Sequence, residues 1–305
     1  MNVEIDPKPV PPRKTSGMAI ASLVLGLCAC ALPLIGHLLG IGLGIGALAW
    51  IGRSGGKLRG GGFAVAGIAV SSVNLLLFTC LTVPLFLMWR DGVQRVASAN
   101  NMKQLALGWR SQENTQGRFP PAGEGPNGER HPISWRAEML PWLEQANLYD
   151  AMCERSGDGR LPAWDDPAIE EFTSIPLAVY QNPSGLGDPL ATNYLAVTGE
   201  GTIYDPERFE RGVRAVQPPD GMSHTLWLVE ADRELAVPWA KPQDWKYDPA
   251  DPRQGLGNYR YGGFYGSAAD GSVRFFSNDI DPEVLRALMT ANGGETIGRE
   301  QFERP

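Results

Sequence analysis

Two stretches without formal charge constrain this chain more than anything else in it. Residues 17–52 carry no charge unless His37 is protonated, and residues 60–89 carry none at all. A water-soluble fold of 305 residues cannot bury both, because its helices need a polar face towards solvent. A helix crosses the ~30 Å hydrocarbon core with about 20 apolar residues. As one straight helix residues 17–52 would reach about 54 Å, too long for one upright pass and short for two. Lys8, Arg13 and Lys14 precede the run, and Arg53, Lys57 and Arg59 follow it. Basic residues collect on the cytoplasmic side, so both ends are expected inside, joined by a helical hairpin over about 18–52 bent near Pro33 to His37. One tilted helix is the alternative. The next run, about 63–89, crosses once and delivers residues 90–305 to the outer face.

The charge balance follows the same division. Six Lys and Arg against two acids give the first 89 residues a net +4, whereas residues 90–305 carry 21 against 32, net −11. An acidic outer part opposes nonspecific nucleic-acid binding, since phosphate contacts need a basic face. The expected organisation is a basic Pro-rich tail (1–15), a multi-span membrane domain (16–89) and an extracytoplasmic domain (90–305). Glycines at 36, 40 and 44, and at 42 and 46, continued by Gly62, Ala66 and the Gly67/Ser71 pair, have the spacing that lets membrane helices approach closely. The apolar sequence runs on well past Leu27-Cys28-Ala29-Cys30, so the first run is expected to be retained rather than cleaved.

Beyond the last span, residues 90–109 keep a helical apolar pattern with a phase slip at Asn100-Asn101, and residues 117–121 end it. Ser134 is expected to cap a short helix interrupted at Pro141. Strands are expected at 192–198 and 225–230. Asp270-Gly271, between two apolar runs, is the strongest hairpin signal. Asp281-Pro282 opens a last short helix with Val284, Leu285, Leu288 and Ala291 on its inner face. The fold class is therefore α+β: N-terminal membrane helices, then a long helix on a small antiparallel sheet with long loops.

These motifs resemble a large bacterial family of type II secretion-like pseudopilins that carries a C-terminal His-(nine residues)-Asp-Gly motif. The resemblance rests on Ser98-Ala-Asn-Asn-Met-Lys-Gln-Leu-Ala-Leu107, Gly117-Arg-Phe-Pro-Pro-Ala122, Leu140-Pro-Trp-Leu-Glu-Gln145, Asp220-Gly-Met-Ser-His-Thr225 and Ala269-Asp-Gly-Ser-Val-Arg-Phe275. It marks Asn100, Asn101, Asp220, Gly221, Arg260, Asp270 and Gly271 as family-motif positions. The preceding membrane part is similar to a small membrane domain of unknown function. Two departures stand out. Arg260 falls where the family has histidine, and arginine neither ligates metals nor gives up its proton. No Gly/Phe-Thr-Leu-Ile-Glu peptidase signature precedes Phe63. The resemblance implies a non-enzymatic, pseudopilin-like component of the bacterial cytoplasmic membrane, with its C-terminal domain on the periplasmic side. Its partners are the lipid bilayer and other envelope proteins.

Candidate chemistry is sparse. Cys153 stands alone beyond residue 90 with only His131 and His224, so no metal, cofactor or disulfide framework is expected. His224 with Asp220 is the one acid–base candidate for a hydrolase. Glu230 with Asp232, and Asp165 with Asp166, read as solvated surface pairs. Trp239, Trp245 and Tyr247 lie in a Pro-rich stretch and are the candidate ligand or partner contacts, including for a carbohydrate-binding alternative. The competing reading has these rings pin their own loop to the domain.

Overall fold

The computed structural model describes residues 14–28, 33–125, 127–208 and 218–294. The basic tail at 1–13 and the connection at 29–32, which holds Cys30, lie outside them. The chain divides into two compact units, Met1–Arg90 and Asp91–Pro305.

The first unit contains strand β1 (Lys14–Thr15), helices α1 (Gly17–Cys28) and α2 (Pro33–Arg53), strand β2 (Leu58–Arg59) and the start of helix α3 (Gly61–Gln116). Two helices, Leu34–Arg53 and Gly61–Gln116, are long and apolar enough to cross a membrane. Helix α1 has 12 residues, about 18 Å, so the expected hairpin has a short first leg. Strands β1 and β2 pair in parallel, Lys14 opposite Leu58 and Thr15 opposite Arg59. That pairing brings Lys14, Lys57 and Arg59 to one end of the unit.

Small residues let the three helices meet. Ser22 Oγ donates to Gly40 O at 2.8 Å, and Asn74 Nδ2 donates to Gly26 O at 3.0 Å. A Cβ at Gly67 would stand 2.3 Å from Ser22 Oγ and 2.8 Å from the Leu23 nitrogen, and one at Gly44 would stand 2.5 Å from Ile68 Cγ1. Gly40, Gly44 and Gly67 therefore sit where a neighbouring helix leaves no room for a side chain, whereas Gly42 faces open space.

In the second unit α3 continues unbroken through Asn100-Asn101 to Gln116, where Gly117 (φ +68°) ends it. Gly108 within it allows Leu143 and Met139 to approach; a Cβ there would stand 3.0 Å from each. Then come α4 (Trp135–Glu138), a 3₁₀ turn at Leu140–Leu143, α5 (Ala146–Ser156), α6 (Glu170–Thr173), β3 (Ala191–Thr192), β4 (Tyr194–Thr198), β5 (Leu226–Glu230), β6 (Val237–Pro238), β7 (Trp245–Lys246), β8 (Gly263–Ala268), β9 (Val273–Ser277) and α7 (Pro282–Met289). Ser134 caps α4, accepting from Arg136 N, and Asp281 caps α7, accepting from Glu283 N.

The main sheet has the order β7-β4-β5-β8-β9. It is mixed rather than purely antiparallel, because β7 runs parallel to β4 at the edge. The β8–β9 hairpin closes at Asp270-Gly271, with Gly271 at φ +89° and its N–H on Ala268 O. Both faces of the sheet are covered. Tyr194 and Ala196 of β4 join α3's Met102, Leu105 and Trp109 in one cluster. Leu195 and Val197, pointing the other way, join Leu285 and Leu288 of α7 in a second. At the centre Trp109 stacks between Phe119 (3.9 Å between ring centroids) and Trp227 (4.8 Å), while Trp135 meets Trp227 edge-on at 5.5 Å.

Candidate functional site

The strongest polar concentration in the second unit lies where α3 crosses β4 and β5. Tyr194 and Glu230 are register partners on adjacent antiparallel strands, so they share the face turned to α3. Ser98 of α3 meets both: Ser98 Oγ donates to Glu230 Oε1 at 2.7 Å and lies 2.9 Å from the Tyr194 hydroxyl. Asn182 Nδ2 donates to the same oxygen at 2.5 Å. Arg260 completes the shell with a two-pronged contact, Nε to Oε2 at 2.6 Å and Nη2 to Oε1 at 2.8 Å. Its Nη2 also reaches Asn182 Oδ1 at 3.1 Å. Glu230 is wholly buried, and four donors converge on its carboxylate.

Asp232, two residues on, holds the loop that delivers Arg260. Its Oδ1 accepts from Asn258 N (2.7 Å) and Tyr259 N (2.9 Å), and its Oδ2 accepts from Asn258 Nδ2 (2.9 Å). Burial works against the Arg260 charge, but the hydrogen-bonded Glu230 carboxylate outweighs it and raises the guanidinium pKa. The Tyr194 phenol is pushed well up by burial, with the Glu230 charge adding to it. Tyr259 and Tyr265 flank the guanidinium, with ring centroids 5.6 and 5.8 Å from its central carbon.

A second buried pair fixes the sheet edge. Arg136 Nη2 donates to Asp244 Oδ1 at 2.9 Å, and Trp135 Nε1 and Ala196 N donate to the same oxygen at 2.9 Å each. Arg136 also donates to Ser134 Oγ and to Tyr194 O. Burial lowers its pKa, and Asp244 opposes that shift.

The structure redistributes the residues singled out from sequence. Glu230 and Asp232 are not solvated surface acids, because strand β5 is buried on both faces and ends inside the domain. Trp239, Trp245 and Tyr247 are not exposed contacts either. All three rings are buried; Trp239 Nε1 donates to Ile175 O at 3.1 Å, and Trp245 Nε1 donates to Gln254 O at 2.9 Å. They pin their own loop and offer no open ring face to a sugar. Asp166 caps a 3₁₀ turn by accepting from Ala168 N, while Asp165 is exposed.

The family-motif positions fall into two groups. Asn101 donates to Ala178 O and Gln181 O, beside the Asn182 that touches Arg260, whereas Asn100 is exposed. Asp220 accepts from Gly293 N (2.8 Å) and Gly294 N (2.9 Å), and Gly221 turns the chain at φ +92°. That turn abuts the β8–β9 hairpin, since Asp270 N donates to Met222 O at 3.0 Å. The Asp270 carboxylate accepts from Ser272 N. His224 Nδ1 lies 3.1 Å from Ser223 Oγ, while both Asp220 oxygens are committed to backbone. Among the described residues no group of three or more His, Cys, Asp or Glu is arranged to hold a metal ion.

Sequence reasoning misses Glu230 and Asn182 as partners of Arg260, and Ser98 as a further donor to Glu230. One signal was legible: an acid ending the apolar run Leu226-Trp-Leu-Val-Glu230, followed by an arginine further along the chain.

A long helix and a short one on opposite faces of a mixed sheet, tied by buried ion pairs, define an α+β domain that follows apolar N-terminal helices. The chain belongs to the family described as Protein of unknown function (DUF1559), whose model matches residues 90–254. Residues 18–81 match Domain of unknown function (DUF4190). The first match begins one residue before the second compact unit and stops short of Arg260 and Asp270. No curated protein and no solved structure matches.

Proposed function

We propose that the chain is a non-enzymatic, membrane-anchored protein of the bacterial cytoplasmic membrane. Its pseudopilin-like domain lies on the extracytoplasmic side and serves as a structural or interaction component of the envelope. One observation carries this reading. Helix α3 is apolar enough to cross a membrane in its first part, and in its second part it supplies the buried spine of an α+β domain. Anchor and core are the same element. The β1–β2 pairing supports the orientation, because it gathers Lys14, Lys57 and Arg59 at the end from which α3 departs. Basic residues favour the cytoplasmic face, so a crossing by α3 carries residues 91 onward outside. The motif positions Arg260, Asp220 and Asp270 are engaged in holding the chain together, which favours a structural part for them over a catalytic one.

The test is accessibility in spheroplasts of a bacterial host making the full chain. Cys153 is a poor reporter, because burial both hides its thiol and raises its pKa. Cysteines at the exposed positions of Glu171→Cys and Lys57→Cys serve instead. A membrane-impermeant maleimide is expected to label position 171 in intact spheroplasts and position 57 only after lysis. Amine crosslinking is expected to move the chain into larger adducts. The reverse labelling order, or a chain that stays monomeric under crosslinking, refutes the proposal.

A further inference from the structure

Four cations gather at one end of the first unit. The parallel β1–β2 pair sets Lys14 beside Leu58 and Thr15 beside Arg59, which brings Lys14 next to the segment that carries Lys57 and Arg59. Arg53 closes α2 just before that segment. Hydrogen bonds fix the backbone that carries them. Ser16 N donates to Arg59 O at 2.9 Å, Lys57 N to Ser54 O at 3.3 Å, and Leu58 N to Ser54 Oγ at 3.2 Å. Gly60, at φ +118°, lets the chain pass close to β1, since a Cβ there would stand 3.1 Å from Thr15 Cγ2. The backbone is held, yet the side chains of Lys14, Arg53, Lys57 and Arg59 are all exposed. They also lack a local counter-charge. The only acids before Asp91 are Glu4 and Asp6, which lie in the tail outside the described residues.

The neighbouring side chains decide what kind of anion fits. Trp50, about one turn before Arg53, is 62% exposed, and Phe63, at the start of α3, is 50% exposed. Ile45 on α2 and Val65 on α3 continue the exposed apolar surface away from the charged end. A dissolved phosphate or a nucleic acid would meet the cations and leave those apolar side chains in water. A molecule with an anionic head and hydrocarbon tails covers both. Aromatic residues beside Lys and Arg at the end of an apolar helix also mark the headgroup level of a bilayer.

We propose that this end of the helical unit is a docking surface for anionic phospholipid. Headgroup phosphates are held by Lys14, Arg53, Lys57 and Arg59, and the acyl chains lie along Trp50 and Phe63. This rests on the anchoring reading above and adds a preferred lipid to it. Guanidinium groups suit the task because they can give a phosphate two parallel hydrogen bonds, while the lysines add point charges.

The experiment places the full chain in phosphatidylcholine vesicles that contain traces of nitroxide-labelled lipid, either phosphatidylglycerol or phosphatidylcholine labelled on the acyl chain. Electron spin resonance separates lipid immobilised on the protein from free lipid. Each basic residue at a surface contributes about fivefold to attraction of anionic lipid, so phosphatidylglycerol is expected to be held at least about threefold more strongly than phosphatidylcholine. Replacing all four cations (Lys14→Gln, Arg53→Gln, Lys57→Gln and Arg59→Gln) is expected to cut that preference by about half or more, with phosphatidylcholine immobilised as before. Arg90→Gln, beyond the other end of the uncharged run, is expected to keep it. Lys57→Gln and Arg59→Gln singly are each expected to remove part of it, which covers a quadruple variant that fails to insert. A preference unchanged in the inserted quadruple variant, or in both single variants, overturns the proposal, and so does an equal fall in Arg90→Gln. If the parent immobilises both lipids equally, anchoring stands and only the lipid preference fails. If it immobilises neither, the anchoring reading fails with it.

Discussion

Replacing Glu230 with alanine puts the buried network to its most direct test. The wild-type carboxylate takes two hydrogen bonds from Arg260 and one each from Ser98 and Asn182. Removing it strands a guanidinium whose side chain is only 2% exposed. Breaking a buried ion pair from one side costs roughly 3–5 kcal/mol, because the remaining charge stays desolvated. For a domain of this size each kcal/mol shifts the midpoint by about 2–4 °C, which puts the expected loss at roughly 6–20 °C. The double variant Glu230→Leu with Arg260→Leu removes both charges. Ser98 keeps Tyr194 as a partner and Asn182 keeps Asn193, so most of the lost stability is expected to return. The assay is a thermal melt of the full chain in detergent, followed by tryptophan fluorescence, to which Trp109, Trp135 and Trp227 at the core respond. A Glu230→Ala variant melting within about 2 °C of the parent refutes the reasoning. So does a double variant no more stable than the single one.

Two further outcomes follow from particular sites. Gly67→Ala places a methyl against the Ser22–Leu23 backbone and is expected to destabilise the helical unit by about 1–3 kcal/mol, whereas Gly42→Ala meets nothing and is expected to be neutral; sodium dodecyl sulfate titration of the helical signal compares them, and equal midpoints would contradict the packing. Burial raises the pKa of Glu138, with Arg118 opposing, so the fold holds its proton more tightly than the unfolded chain does, and stability falls as pH rises from the ordinary glutamate range near 4.3. Glu138→Gln is therefore expected to melt higher than the parent at pH 7 and close to it at pH 4; the same difference at both values would show that the carboxyl charge is not responsible.

Much of the element order was legible in the sequence, because it depends on short-range rules. The Asp270-Gly271 turn, the Ser134 and Asp281 caps and the β5 strand come from residues whose backbone preferences act over a few positions. The phase slip at Asn100-Asn101 did not break α3, since tertiary packing of Met102, Leu105 and Trp109 on the sheet overrides a local irregularity. The parallel edge strand β7 was not legible, because two residues carry too little pattern to reveal their partner.

The uncharged runs by themselves determined that the front of this chain holds helices long and apolar enough to cross a membrane, because a crossing takes about 20 consecutive apolar residues. The fate of the polar residues was decided only in three dimensions. Glu230, Asp232, Trp239 and Trp245 have compositions that suit a surface equally well. Whether each meets water depends on which strand lies beside it and what covers that strand's faces, and those neighbours are tens of residues away along the chain.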